Sequence, residues 1–600
     1  MNETLSGVPD GLAPLALARL VEEAAGEEPP LLLHVARDDR RLEALTDGLA
    51  FFAPRLRVVQ FPAWDTVPYD RIGPNAEIVA MRVSALARLA AAQRKGPTVV
   101  LATVNAILQR VAPREFIRRS LKNIAPGQRI DMGDLTRRLG LAGYRRTGTV
   151  MEPGEFAVRG GILDLYPPGR SSPVRLDFFG DTLEHMKAFD PETQRTGKLV
   201  QKLTLMPVSE VAFGETAEKR FRRGYVEMFG PATGEDALYE AVSAGQRYPG
   251  MEHWLPLFHD RLETLFDYVG DAPVSFDHLA EQAVSERLAL IADHYEARVK
   301  GLETLSFGAA PYKPVPPGAM FLTREEWGER LAQRTLRRMT PFEEESSPAM
   351  PASAKRDSEG ERVRSFGGRV GRNFALERTG QGANVFDAAV AHVRALQAQG
   401  RRVIVTAFSQ GARERLATLL AEHELADIRK VESFSEALAL PVGATAFAVL
   451  GLEQGFETPE LAVIGEQDIL GDRLVRPRRK ARRASDVITE ATSLGVGDFV
   501  VHADHGIGRF DGLTTITALG EAHDCLEIAY ADGAKLYLPV ENIELLSRYG
   551  SAEGAVQLDR LGGVAWQTRK ARLKQRIREI AADLIKVAAL RQLRQAPVML

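Results

Sequence analysis

The sequence predicts a multidomain α/β chain with an antiparallel α+β insertion, a second small α/β domain, and a small SH3-like or Tudor-like β-barrel followed by a long helix. Three observations predict it. Buried-strand patterns alternate with helical patterns over residues 12–112 and again over 383–470, which is the layering of a mostly parallel sheet. Near residue 125 the period changes from helical to two, as in an antiparallel sheet. Residues 494–549 then carry only short strand patterns.

The elements follow in order. "PLLLHVA" (30–36) is a continuous apolar strand, and "RRLEALTDGLAFFA" behind it has helical spacing. "LRVVQFPA" is a second strand, "EIVAMRVSALARLAAAQRKG" a helix ending at Gly96, and "PTVVLATVNAILQRVAP" a strand, turn and helix stopped by Pro113. "FAVRGGILDLYPPG" and "SPVRLDFFGDTLEHMKAFD" alternate with period two and break at Pro-Gly and Gly-Asp turns. The boundaries drawn are 1–125 for the first part of an α/β module, 126–212 for the insertion and 213–340 for the second part of the module. Residues 341–378 are polar, rich in Pro and Ser and mixed in charge, and are expected to be a flexible linker. A small α/β domain spans 379–472, a basic linker 473–490, the barrel 491–550, and a basic helix 551–600 in which Leu573, Ile577, Ile580, Leu584 and Ile585 recur at helical spacing.

Composition bounds the function. The 600 residues are 45% hydrophobic and 26% charged, with a formal net charge of −3, so any nucleic-acid surface must come from local clustering. A single cysteine, Cys525, excludes a disulfide framework and a Cys-rich zinc site, and fits a reducing, cytoplasmic setting. No apolar run is long enough to cross a membrane, and no signal peptide is read at the N-terminus.

"VVHADHGIGRF" (500–510) offers two chemistries. His502 and His505 have metal-ligand spacing, but a zinc site needs about four ligands, and His-x-x-His on a strand points to opposite faces. Gly506 and Gly508 form a G-x-G, but more strand pattern follows where a phosphate loop needs a helix. The remaining reading is a tight turn in a barrel. In "CLEIAYADGAKLYLPV", Leu526, Ile528 and Tyr530 share a face, Asp532-Gly533 is a two-residue hairpin turn, and Leu536, Leu538 and Val540 return. Such a barrel has no catalytic group and binds proteins, often through an open edge strand.

The stretch "VGDFVVHADHGIGRFDGL…LEIAYADGAKLYLPVENIELLSRYG" closely resembles the RNA-polymerase-interacting domain of the bacterial transcription-repair coupling factors, the Mfd family, a module shared with the CarD regulators. The resemblance implies contact with the polymerase β subunit through an edge strand in "GLTTIT", with Leu513 and Ile516 as candidate contacts; the alternative for Leu513 is plain core. "FPAWDTVPYDRIGPNAEIVAMRVSAL" resembles the UvrB-like region of the same family, where Trp64 and Tyr69 read as core. "GYRRTGTVMEPGEFAVRGGILDLYPPG…PVRLDFFGDTLEHMKAFDPETQRT" is similar to the UvrA-binding domain shared by UvrB and Mfd. In "VRLDFF", Val174, Leu176 and Phe178 take one face and Arg175, Asp177 and Phe179 the other. The resemblance assigns UvrA contacts to Arg159, Arg175 and Phe179; the alternative is a solvated face with Phe179 as core.

A motor needs G-x-x-x-x-G-K-[ST], and neither "ETLSGVPDGLAP" nor "GGRVGRNF" supplies it. The resemblance therefore implies the N-terminal half of a coupling factor, with no cofactor bound by these residues. It also implies that ATP and Mg2+, and most double-stranded DNA contact, belong to an ATP-dependent DNA translocase motor expected beyond residue 600. The chain itself is expected to be non-catalytic and monomeric, its UvrA-binding face masked in the intact protein by a far C-terminal domain. The competing classes are a UvrB-type helicase subunit and a CarD-type transcription regulator.

Overall fold

The computed structural model describes residues 2–24, 29–91, 96–232, 236–303, 312–343, 362–378, 384–471, 497, 499–502, 505–518, 521–539, 546–548 and 558–561. The basic linker 473–490 and nearly all of the expected helix 551–600 lie outside the described residues. The chain falls into two compact units, Met1–Phe189 with Thr196–Asp472, and Asp190–Arg195 with Arg473–Leu600.

The first unit is built on a seven-stranded sheet, parallel throughout. Its order is Arg362–Ser365, Glu3–Ser6, Leu336–Met339, Val274–Phe276, Leu31–Ala36, Thr98–Thr103 and Arg57–Phe61. Side chains of Leu31–Ala36 are buried on both faces, as expected of a parallel strand covered by helices. Leu31, Leu33 and Val35 enter one core with Val100 and Ala102. Leu32 and Ala36 enter the other, under helices Ala13–Glu23 and Asp39–Phe52.

His34, on the same strand, is fully buried; its ring hydrogen-bonds Ser275 Oγ through Nδ1 at 2.9 Å. Burial, with the Arg41 charge assisting, pushes its pKa down to about 3. The unfolded chain therefore takes up a proton near pH 6.5 that the folded chain refuses. Stability from neutral His34 is complete above that pH and is lost as pH falls from 6.5 toward 3. Thermal unfolding from pH 7 to pH 5 is expected to show a loss of about 2 kcal/mol that His34→Asn removes.

The insertion forms a six-stranded sheet, Arg145–Arg146, Glu155–Arg159, Ile162–Leu165, Val174–Phe179, Thr182–Phe189 and Thr196–Leu199, antiparallel except for its first pair. Its entry and exit strands, Lys122–Ile124 and Leu203–Leu205, pair with each other and close the stem. The second part of the module is mainly helical around an aromatic cluster that takes in Tyr69, with Trp64 packed against it; both are core, as read from the sequence.

The small α/β domain has six strands in the order Arg369–Val370, Phe456–Glu457, Leu461–Gly465, Arg402–Ala407, Thr445–Val449 and Ile428–Lys430. It is not a loose spacer. Phe456, Leu450 and Ile404 share a core with Leu12, Leu15, Phe51 and Phe52 of the first α/β layer.

The expected flexible linker 341–378 needs correction. Residues 362–365 add a strand beside Glu3–Ser6, and 369–370 add one beside Phe456–Glu457. Open strand edges recruited this segment, and its arginines fix it: Arg364 pairs with Glu23 at 2.5 Å and Arg369 with Glu457 at 2.6 Å. Polar, arginine-rich composition reads as disorder only when those partners are unseen.

The second unit contains a five-stranded antiparallel sheet in the order Lys535–Pro539, Glu521–Ala529, Gly506–Ala518, Phe499–His502 and Leu546–Arg548. Leu526, Ile528, Tyr530 and Leu538 form its core. The hairpin turn holds three residues, Ala531–Gly533, rather than two, because the Tyr530 N–H donates to the Ala534 carbonyl at 2.8 Å. Asp532 and Gly533 both take positive φ, 62° and 71°, which is why Asp-Gly stands there.

Candidate protein-docking surfaces

Strand Val174–Phe179 alternates as its sequence requires: Val174 and Leu176 are buried, and Phe179 is 77% exposed. Phe179 is an outward aromatic at the end of a strand in the middle of a sheet, paired with Thr182 across the Gly180-Asp181 turn. Arg175 lies on the same face but is mostly covered, its side chain only 18% exposed. Its Nε donates to Asp164 Oδ1 at 2.7 Å and its Nη2 to Oδ2 at 2.9 Å, and its guanidinium lies 5.0 Å from the Phe189 ring centroid. Arg159 is exposed and donates to the Gly148 carbonyl and, at 3.2 Å, to Thr149 Oγ1.

The register brings Ile162 opposite both Arg159 and Asp177, and Leu199 opposite Lys187. Ile162 is 36% exposed and Leu199 62%. Both were missed in the sequence, where an apolar residue in a strand reads as core; pairing across the Gly160-Gly161 turn, which sets Ile162 opposite Arg159, would have flagged Ile162.

In the second unit, Leu513 is 56% exposed, so it is not plain core. It belongs to strand Gly506–Ala518, whose first residues pair with Phe499–His502 while residues beyond Phe510 pair only with Glu521–Ala529 among the described ladders. "GLTTIT" is thus an edge in its ladder. Ile516 pairs with His523, and its side chain lies outside the described residues.

The two glycines of "HGIGRF" have separate roles. Gly506 has φ of 85°, a turn conformation that glycine adopts without cost. A Cβ on Gly508 would meet Ile528 Cγ2 at 2.5 Å and Tyr530 Cζ at 3.1 Å. Gly508→Val is expected to destabilise this sheet by about 1–3 kcal/mol through overpacking, read as a lowered melting transition of the second unit. His502 and His505 do not diverge as strand alternation predicts. His505 sits past the strand end, in the turn, and the rings lie 4.6 Å apart. Among the described residues no group of three or more His, Cys, Asp or Glu could hold a metal. A buried carboxylate holds the turn from the far side: Asp559 Oδ2 accepts from the Ile507 N–H at 2.9 Å.

"ETLSGVPDGLAP" does form a strand, loop and helix, the order a phosphate loop uses. Protein fills the space around it. A Cβ on Gly11 would stand 2.8 Å from the Gln454 carbonyl, and the Gly7 carbonyl accepts from the Gly368 N–H at 3.0 Å. Alongside, Arg37 bridges Asp10 and Asp277, at 2.6 and 3.3 Å. Burial pushes the Asp10 carboxyl up, but the Arg37 hydrogen bond and the Arg41 and Arg37 charges outweigh it and hold the group below its ordinary range.

Comparison with known proteins bears on the inserted sheet and on the sheet of the second unit. Residues 123–211 match the UvrB interaction domain, 396–469 the MFD D3 domain, and 494–550 the CarD-like/TRCF RID domain. A transcription-repair-coupling factor of Escherichia coli K12 is 31% identical over 96% of this chain and 48% of its own length. That of Rickettsia bellii is 30% identical over 94% of the chain and 47% of its own length, and that of Bacillus subtilis 25% over 98% and 49%. The chain spans about half the length of the curated relatives it matches. No helix among the described residues is long and apolar enough to cross a membrane.

Proposed function

We propose that this chain is a two-ended adaptor of transcription-coupled nucleotide-excision repair. One end, the outer face of the inserted sheet, binds UvrA through Arg159, Arg175 and Phe179. The other, the small barrel-type sheet of the second unit, binds the RNA polymerase β subunit through Leu513, Ile516 and the edge they lie on. The observation that carries this reading is Phe179, a large aromatic 77% exposed at the end of a central strand, within a match to the UvrB interaction domain. An exposed aromatic on the same sheet face as arginines has the make-up of an interface hot spot.

The intact protein is read as an ATP-dependent DNA translocase that binds stalled polymerase, displaces it and recruits UvrA. ATP and Mg2+ serve its motor, and double-stranded DNA is held mainly there. Residues 1–600 themselves are non-catalytic, since "ETLSGVPDGLAP" has no Gly-Lys-Ser/Thr and its loop is packed under the small α/β domain.

The test is a pull-down of UvrA and of the polymerase β subunit by the chain, beside Arg175→Ala/Phe179→Ala and Ile516→Arg. The expected result is loss of UvrA alone with the first variant and of polymerase alone with the second. Retention of both partners by both variants would overturn the assignment of the two faces.

A further inference from the structure

We propose that Asp164 is a positioning residue for UvrA recognition, acting through Arg175; the proposal rests on the reading of the inserted sheet given above. Asp164 is 1% exposed and cannot reach a partner protein. It stands directly opposite Arg175 in the strand register, and Arg175 stands opposite Lys187, so the three form one row across the outer face. The carboxylate takes the guanidinium as a fork, Nε to Oδ1 and Nη2 to Oδ2, and the planar group lies against Phe189. A bidentate pair fixes orientation as well as charge.

The face therefore divides its two arginines. Arg175 already has its counter-charge and acts as a rigid plate in the sheet surface. Arg159 makes its described hydrogen bonds to a carbonyl and a hydroxyl, both neutral, and no described ion pair includes it. Its charge is left for a carboxylate of the partner, and Phe179, with Ile162 near it, for an apolar pocket. Asp164 keeps the plate in place before the partner arrives, which lowers the ordering cost of binding.

The experiment is a titration of UvrA with the 600-residue chain and with Asp164→Asn, Arg175→Ala, Arg175→Lys and the double Asp164→Asn/Arg175→Ala, beside Arg159→Ala and Phe179→Ala as references. Asp164→Asn and Arg175→Ala are each expected to weaken binding about tenfold, and the double to be no weaker than the weaker single, because both act through one pair. Arg175→Lys keeps the charge but cannot make the fork, so it is expected to match Arg175→Ala. The salt dependence of binding is expected to fall with Arg159→Ala and to stay unchanged in the double variant. Wild-type affinity in Asp164→Asn, or in Arg175→Lys, would overturn the proposal. If Asp164→Asn does not fold, the lysine variant decides. Wild-type binding by Phe179→Ala would instead count against the docking face itself.

Discussion

Arg82→Ala is expected to remove about 3–5 kcal/mol of stability, the scale for leaving one member of a buried ion pair uncompensated. Arg82 is fully buried on helix Ala76–Ala90. Its Nε donates to Glu210 Oε1 at 2.7 Å, its Nη1 to the Pro62 carbonyl at 2.9 Å, and its guanidinium lies 4.3 Å from the Phe61 ring centroid. The other Glu210 oxygen accepts from the Ala112 N–H at 3.3 Å. Glu210 belongs to the segment by which the chain leaves the inserted sheet, so the pair ties the candidate UvrA face to the α/β module. Denaturant unfolding of Arg82→Ala measures the loss. Arg82→Met/Glu210→Leu is expected to recover much of it, because no buried charge then remains.

Phe456→Ala is expected to cost about 3–5 kcal/mol, as for other fully buried phenylalanines. Its ring is 0% exposed, lies 6.2 Å from that of Phe52, and touches the position where a Gly11 side chain would be. The loss falls on the contact between the small α/β domain and the first α/β layer. Scanning calorimetry is expected to resolve two transitions for Met1–Asp472 in the variant and one in the parent chain. A single transition shifted downward would mean that the two layers stay coupled without this ring.

Much of the architecture was legible because local periodicity reports which side of an element is covered. The continuous apolar run at Leu31–Ala36 announced a strand buried on both faces, and the alternation in "VRLDFF" announced one face in and one out. Asp532-Gly533 announced a turn because few residues accept positive φ. The exposure of Phe179 followed from the same parity. Less was legible wherever the answer lay in a partner distant along the chain. Arg362, Arg364 and Arg369 read as linker charges, but Glu3, Glu23 and Glu457 meet them and turn part of the segment into strand. His502 and His505 read as diverging, because the strand was assumed to run through both.

What the sequence determined by itself was the order of the main α/β, inserted and all-β parts and the parity of strands such as Val174–Phe179. These depend on residues a few positions apart. Tertiary structure alone decided that Asp164 takes Arg175, that Glu210 takes Arg82, and that Phe51 and Phe52 face the small α/β domain. Apolar and charged side chains carry no record of which distant partner will cover them. That choice is made by which faces fit together when water is excluded, and only the assembled layers reveal it.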